Sequence, residues 1–195
     1  MGGVLWEDTR QQNHHGEDKH RLKHEWWRAH GVTVIRRALR TGDYMLPDWH
    51  SVRGQGPQVT VDTKRDVMEV AACVSGKGCE RFHEECRRAY DEGLKLYVLT
   101  ENTEGVHSVD DMAKWVNSVH CRACPERWHR RCNPRDRRGG CRKRGGRAKP
   151  VQGVQVARAM GTMHEKYGTV FLFCRPSESA AIVCKLLGVE VDDGR

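Results

Sequence analysis

No apolar run in this sequence approaches the roughly 20 residues a helix needs to cross a bilayer, so no membrane partner is expected. The start, MGGVLWEDTR, has no basic stretch followed by an apolar one, which argues against a secretory signal. A reducing cytoplasm is therefore the expected compartment. Aromatic residues make up only 7% and hydrophobic residues 37% of 195 positions, enough for one modest core. Neither an internal repeat, a Walker-type phosphate loop nor a dinucleotide fingerprint occurs, which removes the common nucleotide-binding classes. The nine cysteines are odd in number, and in a reducing compartment they read as free thiols or metal ligands, not as a disulfide framework.

Charge is abundant, and it is unevenly placed. The chain carries 34 Lys and Arg against 26 Asp and Glu, a net +8. Between Cys121 and Lys149 twelve basic residues face only two acids, so this segment is +10 and the remainder −2. Polyanion binding is the usual reason for such a block, and arginines interleaved with Gly and Pro suit phosphate contacts. Arg130, Arg131, Arg137, Arg138, Arg142, Lys143 and Arg144 are the candidate nucleic-acid contacts. The plainer alternative is a solvated loop.

The same stretch, 118–150, breaks all periodicity and reads as an insertion into a domain formed by 1–117 and 151–195. It holds Cys121-x-x-Cys124 followed by Cys132 and Cys141. One such knuckle with two later thiols fits a closed tetrahedral Zn²⁺ site, with His129 as the best substitute ligand. Ordinary reduced cysteines in a basic loop are the alternative.

Outside that segment, strands alternate with helices. VLWEDT (4–9), VTVIRRAL (32–39), DYML (43–46), QVTVDT (58–63), LKLYVLTE (94–101) and GTVFLFC (168–174) have strand character. Helices are expected over 18–30, 66–75, 79–92 and 108–117, around 156–167, and over 176–188 with Pro176 at the start. In the first of these Leu22, Trp26 and Ala29 form the apolar stripe, and His20 and His24 fall on the solvent side. The order predicts an α/β domain with a central mixed β-sheet flanked by helices.

The stretch VTVDTKRDVM (59–68) poses the functional question. On a strand, Thr60, Asp62 and Lys64 share one face, opposite Val59, Val61 and Thr63. Asp8, Asp43 and Asp62 all fall at strand ends or on a strand face. Carboxylates gathered without counter-charges repel one another unless a divalent cation joins them. Mg²⁺ or Mn²⁺ needs only one or two of them and keeps several waters, and the Thr63 carbonyl is a further candidate ligand. Lys64 would orient the water that attacks phosphorus. The rival reading is an exposed ion pair worth less than about 1 kcal/mol.

The succession EDTRQQ (7–12), TGDY (41–44), VDTKR (61–65), RFHEE (81–85) and LYVLTEN (96–102) resembles the nuclease domain of the XPF family, a branch of the PD-(D/E)XK nucleases. Gly42-Asp43 and Asp62-x-Lys64 match that family's hallmark, and Asp8-x-Arg10 and Arg81 match flanking positions. The likeness covers most of 4–117 and continues through 151–187, where it is similar to small phage and prophage members.

It implies a restriction-endonuclease-like fold and metal-dependent cleavage of branched or flapped DNA in a bacterial or phage-infected cell. Asp43, Asp62, Lys64 and Asp8 would be the catalytic residues, supported by Arg10, Arg81 and Glu69. It also implies a homodimer or helper protein as a further partner. The family's Glu-Arg-Lys is Asp62-Thr63-Lys64 here, the acid that often follows Asp-x-Arg is Gln11, and no tandem helix-hairpin-helix module is present. A non-catalytic adaptor of the same fold and a zinc-organised RNA-binding protein are the competing expectations.

Overall fold

The computed structural model describes residues 2–11, 20–48, 58–75, 78–117 and 151–192. The expected zinc ligands Cys121, Cys124, Cys132 and Cys141 and the basic cluster from Arg130 to Arg144 lie outside the described residues.

Among the described residues, six strands form one sheet: β1 (Val4–Asp8), β2 (Thr33–Arg37), β3 (Tyr44–Met45), β4 (Gln58–Lys64), β5 (Leu94–Glu101) and β6 (Val170–Cys174). Their spatial order is β2-β1-β3-β4-β5-β6. β1 with β2, β4 with β5 and β5 with β6 pair in parallel, and β3 runs antiparallel to both its neighbours. The mixed sheet expected from the sequence is the one observed. Helices α1 (Arg21–Ala29), α2 (Val67–Ser75), α3 (Cys79–Asp91), α4 (Val109–Lys114) and α5 (Gly153–Tyr167) lie in the crossovers, and α6 (Ser179–Leu187) follows the last strand.

Period-two alternation in β4 and β5 builds two cores. Leu96 and Val98 pack with Val70, Phe82, Cys86, Met160 and Met163 from α2, α3 and α5. Val61 and Leu99 pack on the other side with Trp27 and Val183 of α1 and α6. Because Val61 faces α1 and α6, strand geometry turns Thr60, Asp62 and Lys64 toward α2 and α3. The segments on either side of 118–150 meet: Asn117 Nδ2 donates to the Val151 carbonyl (3.1 Å) and the Gly153 amide to the Trp115 carbonyl (3.1 Å).

Three expectations needed correction. α4 ends at Lys114, short of Asn117, because Trp115 leaves helical geometry to place its indole N–H on Glu104 (2.9 Å). α6 starts at Ser179, not Pro176, since Arg175–Glu178 closes a turn in which the Glu178 carboxylate accepts the Arg175 amide (2.8 Å). α1 buries the stripe Lys23–Trp27 and leaves Leu22 52% exposed. A largely covered acid, Glu101, lies beneath that helix and takes the Lys23 ammonium, which rotates the inward face by one residue. His24 accordingly lies half-buried against the Glu7 carboxylate (2.9 Å).

Candidate active site

Since β1 and β4 are both antiparallel to β3, their carboxyl ends leave the sheet at the same edge, where β3 begins. That edge is where open α/β sheets place their ligands. It brings Asp8, Asp43 and Asp62 onto adjacent chain segments, which in a sheet lie about 5 Å apart. The Asp8 amide donates to the Asp43 carbonyl (2.8 Å), and the Asp43 amide to the Val61 carbonyl (2.8 Å). A cavity of about 380 Å³ opens there, and all three aspartates and Lys64 reach its wall.

Gly42 explains why Asp43 is preceded by glycine. Its φ is +71°, and a Cβ there would lie 2.1 Å from Thr60 Oγ1. That hydroxyl is fixed by donating to the Thr41 carbonyl (3.0 Å), so it has no room to yield. The turn then delivers Asp43 with Oδ2 accepting both the Thr63 amide (2.7 Å) and the Thr63 hydroxyl (2.8 Å). Two donors on one oxygen orient the carboxylate, and Oδ1 accepts no hydrogen bond among the described residues.

Asp62 and Lys64 are not a surface pair. Their side chains are 6% and 10% exposed, and the Lys64 ammonium lies 2.7 Å from Oδ1 and 2.5 Å from Oδ2 of Asp62. Oδ1 takes the hydrogen bond, and the buried Oδ2 is held by the ionic contact. Lys64 also sits 5.4 Å from the Phe82 ring centre, within cation–π range. Burial pushes the Asp62 carboxyl up to about 8, against the pull of Lys64, and the negative charges of Asp43 and Glu85 add to the rise. For Lys64 burial acts downward, but the facing charges of Asp62 and Asp43 more than reverse it, so its pKa stands above the ordinary lysine value. The ammonium therefore keeps its proton at neutral pH.

Asp8 is held differently. Its Oδ1 accepts the amides of Arg10 (3.1 Å) and Leu39 (3.4 Å), and Oδ2 accepts Arg10 Nε (2.5 Å). Arg10 completes the clasp by donating to the Leu39 carbonyl (2.7 Å). Glu69 works at the start of α2, accepting the Arg65 amide (2.9 Å) while its own amide donates to Asp66 (2.7 Å). Arg81 reaches the cavity from α3.

Two further residues of α3 face the same space and were not singled out from the sequence. Glu85 accepts the Gly42 amide (3.0 Å), and Arg88 donates to Thr41 Oγ1 (3.2 Å). Their spacing from Arg81, i+4 and i+7, is the signal that would have found them. Among the described residues, no three His, Cys, Asp or Glu side chains stand close enough to hold an ion by themselves. Two carboxylates with retained waters are nonetheless an ordinary Mg²⁺ environment. The buried Asp62 Oδ2 without a hydrogen bond, next to the oriented Asp43, fits such a cation.

No family model and no curated protein sequence matches the chain. Its structure, however, is similar to that of XPF from Aeropyrum pernix in complex with DNA. The TM-score is 0.53 at 16% identity, over 95% of this chain and 64% of that one. The chain shares the fold of that protein. A second structure of XPF from Aeropyrum pernix gives a TM-score of 0.50 at 16% identity, over 95% of this chain and 60% of the other. The chain thus spans less than two thirds of the length of either neighbour. An XPF-like fold assigned from coordinates agrees with the resemblance carried by Gly42-Asp43 and Asp62-x-Lys64 in the sequence.

Proposed function

We propose that the chain is a metal-dependent endonuclease that hydrolyses phosphodiester bonds in DNA, acting on branched or flapped structures in a phage or bacterial setting. The observation that carries this reading is the buried pair Asp62–Lys64 beside Asp43, with Asp62 Oδ2 held among the described residues by its ionic contact to Lys64 alone. The fold, shared with a protein whose structure is a complex with DNA, supports DNA as the polymer.

Asp43 and Asp62 would hold Mg²⁺ or Mn²⁺, aided by the Thr63 carbonyl. When bound, the cation offsets charge developing on the phosphoryl oxygens and acidifies the water in its shell. The protein's own contributions are positional and electrostatic. Thr63 fixes the rotamer of Asp43 through two hydrogen bonds. Lys64, protonated and almost fully buried, aims a fixed positive charge at the attacking water and the phosphorus centre, so it serves as an electrostatic group and not as a base. Arg81 and Arg88 line the cavity on the α3 side, where guanidinium groups suit the non-bridging phosphate oxygens. Asp8 and Arg10 hold each other and the Leu39 segment, which keeps the wall of the cavity in place.

In this reading the basic segment 118–150 supplies duplex grip, organised by Zn²⁺ on Cys121, Cys124, Cys132 and Cys141. A homodimer or a helper protein shares the DNA. A screen of flap, fork, junction and single-stranded DNA with Mg²⁺ and with Mn²⁺ tests the activity. Cleavage that favours a branched substrate supports the proposal. Binding without cleavage of any substrate under either ion would make the chain an adaptor.

A further inference from the structure

The strand end that carries Asp62 has a second side. Thr63 points to the face opposite Asp62, and there a separate cavity of about 220 Å³ opens between the end of β4, α1 and the loop after β1. Arg10, Gln11, Thr63 and Glu69 line both cavities, so the two meet around the tip of β4.

Their charge balance is opposite. The cavity with Asp62 has five carboxylates against four cationic side chains. This one has three cations, Arg10, Lys23 and Arg65, against two carboxylates. Both of those carboxylates are already committed. Glu101 accepts Lys23 (2.5 Å) and the Ser179 hydroxyl (2.7 Å), and Glu69 accepts the Arg65 amide.

The two arginines are anchored on one side and open on the other. Arg10 is held through Nε and Nη2, and Arg65 through Nε to Asp66 (3.1 Å). Arg10 Nη1 and both terminal nitrogens of Arg65 make no hydrogen bond among the described residues. Their side chains are 66% and 67% exposed. A guanidinium fixed in plane with free outer N–H groups matches the oxygen spacing of a phosphate.

We propose that this second cavity is a phosphate subsite, in which Arg65 and Arg10 take the phosphodiester group adjacent to the one presented to Asp43, Asp62 and Lys64. The inference rests on the hydrolytic reading and extends it, because it assigns a direction to the bound strand: across the tip of β4, from the α3 side to the α1 side. One side of the tip accepts the group to be cut. The other side registers its neighbour.

The test is a double cycle between protein and nucleic acid, read as binding in Ca²⁺. Oligonucleotides carrying a single neutral methylphosphonate, moved one position at a time, are bound by the wild type, by Arg65→Ala and by Arg65→Gln. In the wild type, neutralising one phosphate beside the cleavage position should weaken binding about tenfold. In both variants the same modification should cost less than twofold, because the contact is already gone. Penalties that simply multiply at every position would overturn the subsite, even where the wild type cleaves normally with Mg²⁺. An absence of cleavage by the wild type would instead sink the hydrolytic reading, and coupling of Arg65 to one phosphate would still show the contact.

Discussion

Replacing Asp62 with asparagine should make the stability of the metal-free protein less dependent on pH, although it removes the counter-charge of the buried Lys64. The Asp62 carboxyl is pushed up to about 8 from an ordinary 3.8, with burial as the main cause. The folded protein therefore holds this proton more tightly than the unfolded chain does. The resulting stabilisation is complete below the ordinary aspartate range and is lost as pH rises toward 8.

At about 1.4 kcal/mol per unit, the span corresponds to a loss on the order of 5 kcal/mol in the wild type. The asparagine side chain of the variant cannot ionise and loses nothing by this route. Titrating groups remote from the site are common to the two proteins and cancel in the difference; Lys64, which loses the Asp62 charge in the variant, does not. Urea unfolding in chelator between pH 4.5 and 8.5 is the assay. The wild-type curve should fall relative to Asp62→Asn by several kcal/mol as pH rises. Adding Mg²⁺ at pH 8 should restore the wild type, by about 2.7 kcal/mol at a hundred times the dissociation constant, and restore the variant less. Parallel pH profiles would refute the claim that Asp62 is buried against its own charge.

Perturbations at three other positions follow from the same geometry. Gly42→Ala forces a Cβ to within 2.1 Å of Thr60 Oγ1 at positive φ, and chemical denaturation should show a loss of about 1–3 kcal/mol or more. Glu101→Gln strips the counter-charge from Lys23, whose side chain is only 5% exposed, and should destabilise by about 3–5 kcal/mol in the same measurement. Glu85→Gln keeps an acceptor for the Gly42 amide and should stay within about 0.5 kcal/mol of wild type. Glu85→Leu orphans that amide and should cost about 1–3 kcal/mol.

Much of the sheet was legible because its strands are β-branched and alternate cleanly. VTVDTK shows its two faces in the letters themselves, and the structure turns Val61 to one core and Asp62 with Lys64 toward the other. The Gly-Asp turn was legible as a motif, and its physical cause, the Thr60 hydroxyl under Gly42, only as coordinates. What sequence could not show was which charges are buried. Lys23 reads as a solvent residue on α1, and only the distant Glu101 makes it an inward one. The same holds for Glu85, whose hydrogen bond to the Gly42 amide joins a helix to a turn 43 residues away. Helix ends erred where a side chain, such as the Trp115 indole or the Glu178 carboxylate, found a better partner outside the helix.

The central claim is that Asp62 and Lys64 together with Asp43 constitute a hydrolytic centre. Nicking of DNA by the wild type, Asp62→Asn and Lys64→Met in Mg²⁺ and in Mn²⁺ tests it most directly, with unfolding curves confirming that each variant is folded. Loss of several kcal/mol of transition-state stabilisation predicts rates down by about 10³-fold or more in both variants. Equal cleavage by all three folded proteins, or cleavage indifferent to divalent ions, would contradict the account.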